Sequence, residues 1–251
     1  MWQRKEFLVS CFWFSRLILL FERETRNQKQ VLMPSRRIGA YGGTFDPVHN
    51  GHMEVVRAVV RDFGLDQLLI IPAHRPPHKG LREIAGDYHR FTMTVLASLD
   101  EPRVRVSTME LETPDRPYTF ETVESLQSMF GKDTSLFFVM GADSFEEINT
   151  WREPARLLTS TNLIVITRPG YDVGVSHLDE RFSSRVVDLR GREGETRTSE
   201  DTNGHRIYMT GCVNIGISST EIRQRVRDRE SIRELVPARV ADYISKYELY
   251  R

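Results

Sequence analysis

From Arg37 onward the chain alternates short apolar runs with stretches whose apolar residues recur at helical spacing. The runs predict strands at Ile38–Tyr41, Gln67–Ile71, Val104–Thr108, Ser135–Met140, Asn162–Thr167 and Arg206–Met209. Helices are predicted between them, at His52–Phe63, Tyr88–Leu99, Phe120–Phe130, Ser144–Ile148 and Pro154–Leu158. A last helix, Ala238–Tyr247, follows Pro237; Val240, Tyr243, Ile244 and Tyr247 share one face, which reads as packing. Strands separated regularly by helices imply βαβ units. The expected fold class is therefore α/β, a Rossmann-like doubly wound parallel sheet with helices on both faces. Such sheets bind ligands outside the carboxyl ends of their strands, where the strand order reverses. That directs attention to the residues just after each strand.

Two stretches depart from this pattern. Residues 1–36 carry an apolar run, Phe7 to Phe21, broken by Ser10, Ser15 and Arg16 and followed by the polar Glu22 to Gln30. The run is too short and interrupted to span a bilayer, and no small-residue cleavage site follows it. It reads as an extension outside the fold. The leading explanation is a miscalled translation start, with Met33 the true first residue. A membrane-surface helix, an added structural helix and a cleaved leader are the alternatives. Residues 37–251 then form one domain. Within it, Tyr171 to His205 is a mixed-charge stretch, expected to be a mostly exposed excursion.

Composition narrows the partners. Acidic and basic residues balance at 35 each in 251 residues, so no global field marks a nucleic-acid binder. Any anion must be held by a local site. The two cysteines, Cys11 and Cys212, offer neither a disulfide framework nor a thiolate zinc site, which suits a reducing cytoplasm. Stable membrane insertion is not expected, and the oligomeric state is open.

One such local site is written in Gly42-Gly43-Thr44-Phe45-Asp46-Pro47-Val48-His49-Asn50-Gly51-His52, which follows a strand and opens a helix. Glycines let a backbone approach phosphate closely and supply unusual dihedrals. Free amides at the helix start would face the anion with the dipole in its favour. His49 and His52, three apart, can point to one side and stabilise growing charge. Zinc is the competing use of paired histidines, but no third ligand accompanies them. A second segment, Gly216-Ile217-Ser218-Ser219-Thr220-Glu221-Ile222-Arg223, puts Ser218 or Ser219 at a helix cap. It reads either as a capped surface helix or as a second anion cradle completed by Arg223. Pro76-Pro77-His78-Lys79 is a stiff loop after a strand that presents Lys79.

Together, residues 43–52 and 217–223 resemble the two signatures of the nucleotidyltransferase superfamily with a His-x-Gly-His motif. Within it, the chain is similar to bacterial nicotinate-nucleotide adenylyltransferases over residues 37–251. Pro76-Pro77-His78-Lys79, Tyr118-Thr119, Gly141-Ala142-Asp143-Ser144, Trp151, Arg168-Pro169-Gly170 and Leu235-Val236-Pro237 to Leu249-Tyr250-Arg251 agree with the pattern. Pro117 stands where the family commonly has serine, and the excursion is longer than usual.

The resemblance implies transfer of AMP from ATP to nicotinate mononucleotide by direct attack of the acceptor phosphate, releasing pyrophosphate. His49 and His52 would meet the ATP phosphates, with His52 first for the transition state. Lys79 and Arg223 would hold the pyrophosphate, assisted by Thr44 and Ser219. Gly42, Gly43, Thr44, Phe45, Gly141, Asp143, Ile217, Ser218 and Ser219 would form the ATP site, and Thr119 and Trp151 would face the pyridine ring. Mg2+ would be bound mainly through ATP phosphates, with no dedicated protein cage. Another nucleotidyltransferase of the same fold and a non-catalytic nucleotide sensor are the rival readings.

Overall fold

Among the described residues, seven strands pair in parallel into one sheet of order β3-β2-β1-β4-β5-β7-β6. They are β1 Arg36–Gly43, β2 Gln67–Pro72, β3 Val104–Val106, β4 Thr134–Gly141, β5 Asn162–Ile166, β6 Val186–Asp188 and β7 Ile207–Thr210. The helices are α1 Asn50–Asp62, α2 Asp87–Ser98, α3 Thr119–Phe130, α4 Ala142–Glu146, α5 Pro154–Ser160, α6 Glu180–Ser183, α7 Ser219–Arg227 and α8 Ala238–Lys246. A computed structural model describes residues 36–74, 84–113, 118–167, 173–192, 204–211 and 216–251. The N-terminal extension with Met33 lies outside the described residues, apart from Arg36, which opens β1. Lys79, Pro117 and Arg168-Pro169-Gly170 also lie outside them.

Because successive strand residues point to opposite faces, each strand feeds two cores. In β4, Phe137 and Val139 join α1, α2, α7 and α8 on one face. Leu136, Phe138 and Met140 join α3, α4 and α5 on the other. Both faces are covered, which is why these strands read as unbroken apolar runs rather than alternating ones. The order reverses between β1 and β4, so the crevice above their carboxyl ends is the switch point. Register puts Tyr41 beside Val139. Two residues further along each strand, Gly43 leads into the loop before α1 and Gly141 directly into α4, on the two sides of this crevice.

The Tyr171–His205 stretch is more structured than its composition suggests. Val173, Leu178, Phe182 and Leu189 are buried, and Val186–Asp188 forms β6, an edge strand paired with β7. Single apolar residues scattered among charges match neither the helical nor the strand period, and a three-residue strand is too short to show one. Residues 171–172 and 193–203 of the stretch lie outside the described residues.

Candidate active site

The loop after β1 sets the site. Gly42 and Gly43 are needed for space, not for unusual dihedrals, since neither has a positive φ. A Cβ on Gly43 would sit 2.9 Å from Phe45 Cζ, and one on Gly42 would sit 3.3 Å from Phe138 Cζ. The left-handed residue is Phe45, at φ 49°. That conformation folds the Phe45 ring back under Gly43, edge-on to Tyr41 at 5.3 Å and to His52 at 5.1 Å. Phe45 is only 3% exposed, and its ring packs behind His52.

His49 caps α1, and the two histidines lock each other. The His52 amide donates to His49 Nδ1 at 3.3 Å, and the His49 amide donates to His52 Nδ1 at 3.2 Å. The rings stack with centroids 3.6 Å apart. A backbone N–H can only donate, so each Nδ1 is bare and each neutral ring carries its proton on Nε2. The capping geometry thus fixes the tautomer of both rings and makes each Nε2 a donor. His49 is buried and His52 half-buried.

The start of α1 is not the open row of amides that its sequence suggests. The Asn50 amide donates to Leu235 O at 2.9 Å, and the His52 amide is taken by His49. Asn50 Nδ2 also reaches Glu234 O at 2.9 Å, fastening the helix to the segment before α8. The start of α7 is more open. Ser218 is its cap, its hydroxyl accepting from the Glu221 amide at 3.1 Å. Among the described residues nothing accepts from the Ser219 or Thr220 amides, so the positive end of α7 is the better anion seat.

Two side chains of the second signature serve the first. Ser219 Oγ donates to Pro47 O at 3.0 Å, joining the start of α7 to the loop. Arg223 is 5% exposed; its Nη1 donates to Asp46 O at 2.7 Å and its Nη2 to Thr220 Oγ1 at 3.3 Å. Arg223 therefore braces the loop from behind, with the buried Asp46 carboxylate 3.7 Å from its Nη1. Its buried Nε has no hydrogen-bond partner among the described residues.

The chemistry-bearing residues that sequence reasoning passed over are Arg90, Asp46 and Tyr250. Arg90 is fully buried on α2. It donates from Nη1 to Thr44 O at 2.7 Å, from Nη2 to Ala73 O at 2.7 Å and Asp87 Oδ1 at 2.6 Å, and from Nε to Ala85 O at 3.2 Å. One guanidinium thus ties the loop after β1 to both flanks of the segment that carries Lys79. Its signal was present in sequence: Arg90 occupies the buried stripe of α2 with Met93, Thr94 and Ala97. Asp46, 2% exposed, accepts at Oδ1 from the Ala85 amide at 3.1 Å and the Tyr250 hydroxyl at 2.6 Å.

Across the crevice, Gly141 is the N-cap of α4 and Asp143 is exposed in its first turn, so Asp143 is not the capping residue. Ile217 is half-buried against the core on the α1 side. Thr119 opens α3, half-buried, and Trp151 packs partly buried against the core on that other face. His49, His52, Ser219 and Arg223 thus meet at one edge of the β1 loop, while Thr119 opens α3, Gly141 ends β4, and Asp143 and Trp151 follow it. Among the described residues no three His, Cys, Asp or Glu side chains group as a metal cage. Among them, too, no helix is long and apolar enough to cross a membrane.

A parallel sheet with a histidine pair and a helix-end anion seat at its switch point defines a nucleotide-handling enzyme of the nucleotidyltransferase class. The Cytidylyltransferase-like family model matches residues 40–225. A probable nicotinate-nucleotide adenylyltransferase of Thermoanaerobacter sp. (strain X514) is 37% identical over 215 residues, covering 86% of this chain and 94% of its own. Its counterpart in Thermus thermophilus is also 37% identical, over 86% of this chain and 100% of its own. The chain belongs to the cytidylyltransferase-like family and, within it, to the nicotinate-nucleotide adenylyltransferases. A solved structure, Plasmodium falciparum nicotinic acid mononucleotide adenylyltransferase complexed with NaAD, shares the fold at TM-score 0.62 and 19% identity, covering 86% of this chain and 97% of its own.

Proposed function

We propose that the protein transfers AMP from ATP to nicotinate mononucleotide, yielding nicotinate adenine dinucleotide and pyrophosphate, a step of NAD biosynthesis in the cytoplasm. The observation that carries this is the tautomer-locked pair His49 and His52 at the sheet's switch point, beside the open start of α7. The names of the relatives point to the same acceptor.

An oxygen of the acceptor's 5′-phosphate attacks the α-phosphorus of ATP. The bond from that phosphorus to the α–β bridging oxygen breaks, and its electron pair leaves with pyrophosphate. No protein nucleophile is required, so catalysis is positioning and electrostatics. His52, the more open of the two rings, donates from Nε2 to the α-phosphate oxygens as charge builds there, and His49 seconds it. Each such donor is worth about 2.7–4 kcal/mol when aimed at the transition state. The Ser219 and Thr220 amides, with the α7 dipole, receive the departing phosphates; Lys79 supplies positive charge, and Arg223 braces the loop after β1. Gly141, Asp143 and Ile217 border the adenosine, and Thr119 and Trp151 the pyridine ring. Magnesium would supply charge neutralisation to the triphosphate and would be held mainly by the nucleotide's own oxygens, with Asp143 the carboxylate that would accept from its water shell.

The test is pyrophosphate release by purified protein with ATP-Mg and each acceptor in turn. Release with nicotinate mononucleotide, in step with the dinucleotide by mass spectrometry, is expected. ATP binding without release for any acceptor would instead mark a nucleotide sensor.

A further inference from the structure

We propose that Tyr250, in the tail beyond α8, is a positioning residue for the β1 loop: its hydroxyl orients Asp46, and Asp46 carries the turn that delivers His49. The kinetic readout of this inference rests on the proposed reaction; its spectroscopic readout does not.

Tyr250 donates to Asp46 Oδ1 at 2.6 Å across 204 positions of sequence. The tail turns inward through two non-glycine residues with positive φ, Glu248 at 53° and Tyr250 itself at 67°. Such conformations persist only where the surroundings hold them. Burial and the neighbouring Asp46 charge push the phenol well above its usual range, so it remains a donor. Asp46 is sealed from water yet sparsely held. Oδ1 has two donors, while Oδ2 has no hydrogen-bond partner among the described residues and lies 3.7 Å from Arg223 Nη1. Each bond to this carboxylate therefore decides its rotation.

Arg223 already donates to the Asp46 carbonyl, and its Nε is buried without a partner among the described residues. Without the phenol, the carboxylate keeps only the Ala85 amide and can turn toward Arg223, whose Nη1 lies 3.7 Å away, to compete for the same guanidinium. The backbone it would pull on runs from Asp46 to His49 in three residues and on into the His49–His52 lock. A misplacement of about 1 Å at a reacting centre costs about a hundredfold in rate, so a smaller shift transmitted through one turn predicts about a tenfold loss.

Tyr250→Phe keeps the buried ring and removes only the donor. With wild type assayed alongside, the variant should lose about tenfold in kcat, with KM for ATP within about twofold and melting within a few degrees. In 15N spectra the imidazoles of His49 and His52 should move, while His177, packed on Phe145 on the opposite face of the sheet, stays fixed. Unmoved His49 and His52 resonances overturn the proposal whatever reaction the protein performs. So does unchanged kcat, or a loss of melting temperature alone, which would make Tyr250 merely structural. A wild type with no transferase activity defeats the functional reading instead, and the imidazole spectra still decide this one.

Discussion

Replacing His52 by asparagine separates the ring's two jobs. In the structure its Nδ1 accepts from the His49 amide, and its Nε2 is the donor proposed for the transition state. Asparagine can place Oδ1 near the Nδ1 position, so the cap bond survives while the distal donor is lost. The expected rate loss follows from that donor alone. About 2.7–4 kcal/mol at about 1.36 kcal/mol per decade is about a hundred- to a thousandfold in kcat. The structural loss is smaller. The ring forfeits its stack on His49 and its edge contact with Phe45, each an aromatic pair worth about 0.5–1.5 kcal/mol. In a domain of about 200 residues each kcal/mol moves melting by about 2–4 °C, so the variant should melt several degrees lower and remain folded at assay temperature. The assay is pyrophosphate release at saturating ATP-Mg, with ATP binding by calorimetry as the control. His52→Ala should lose at least as much turnover, whereas glutamine, whose Nε2 approaches the lost position, should recover part of it. Turnover of the asparagine variant within tenfold of wild type, with ATP bound normally, would refute the assignment.

Gly43→Ala should cost about 1–3 kcal/mol and lower turnover, because its Cβ meets Phe45 Cζ at 2.9 Å and displaces the ring behind His52; an unchanged melting curve would remove the packing argument. Burial, aided by the charge of Arg185, holds the His205 imidazole below its ordinary 6.5. The unfolded chain then binds that proton more readily, so the stability His205 contributes is present above its unfolded value and is lost as pH falls through it to the folded one. His205→Gln should accordingly flatten the acid limb of a melting-temperature profile taken between about pH 5 and 7.5, and parallel profiles would contradict this. Removing residues 1–32 should leave turnover intact; a truncated protein that cannot fold would show that the segment is structural.

Elements that bury one continuous face were readable. The β4 run Ser135–Met140 and the helices near 88–99 and 120–130 were placed within a residue or two, because apolar periodicity records burial directly. A cap at Ser218 or Ser219 was readable because capping is a local bond, and it falls on Ser218. What periodicity does not record is a charge whose partner is far away. Asp46 and Tyr250 each look like ordinary turn or surface residues until the tail folds back across 204 positions. The same holds for Arg223 and Ser219. Their residue types suggest anion ligands, but folding turns both toward carbonyls of the first signature, making the second segment the loop's brace as much as its neighbour. The sequence alone also could not show that α1 would have its first amides engaged, since Leu235 arrives from the far end of the chain.

Catalysis by this site requires a triphosphate lying between the histidine pair and the start of α7. A crystal structure with a non-hydrolysable ATP analogue tests this directly. The expected density puts phosphate oxygens at about 2.7–3.1 Å from Nε2 of His49 or His52, with further oxygens at the Ser219 and Thr220 amides. A triphosphate seated elsewhere, with both imidazoles facing only solvent or protein, would contradict it.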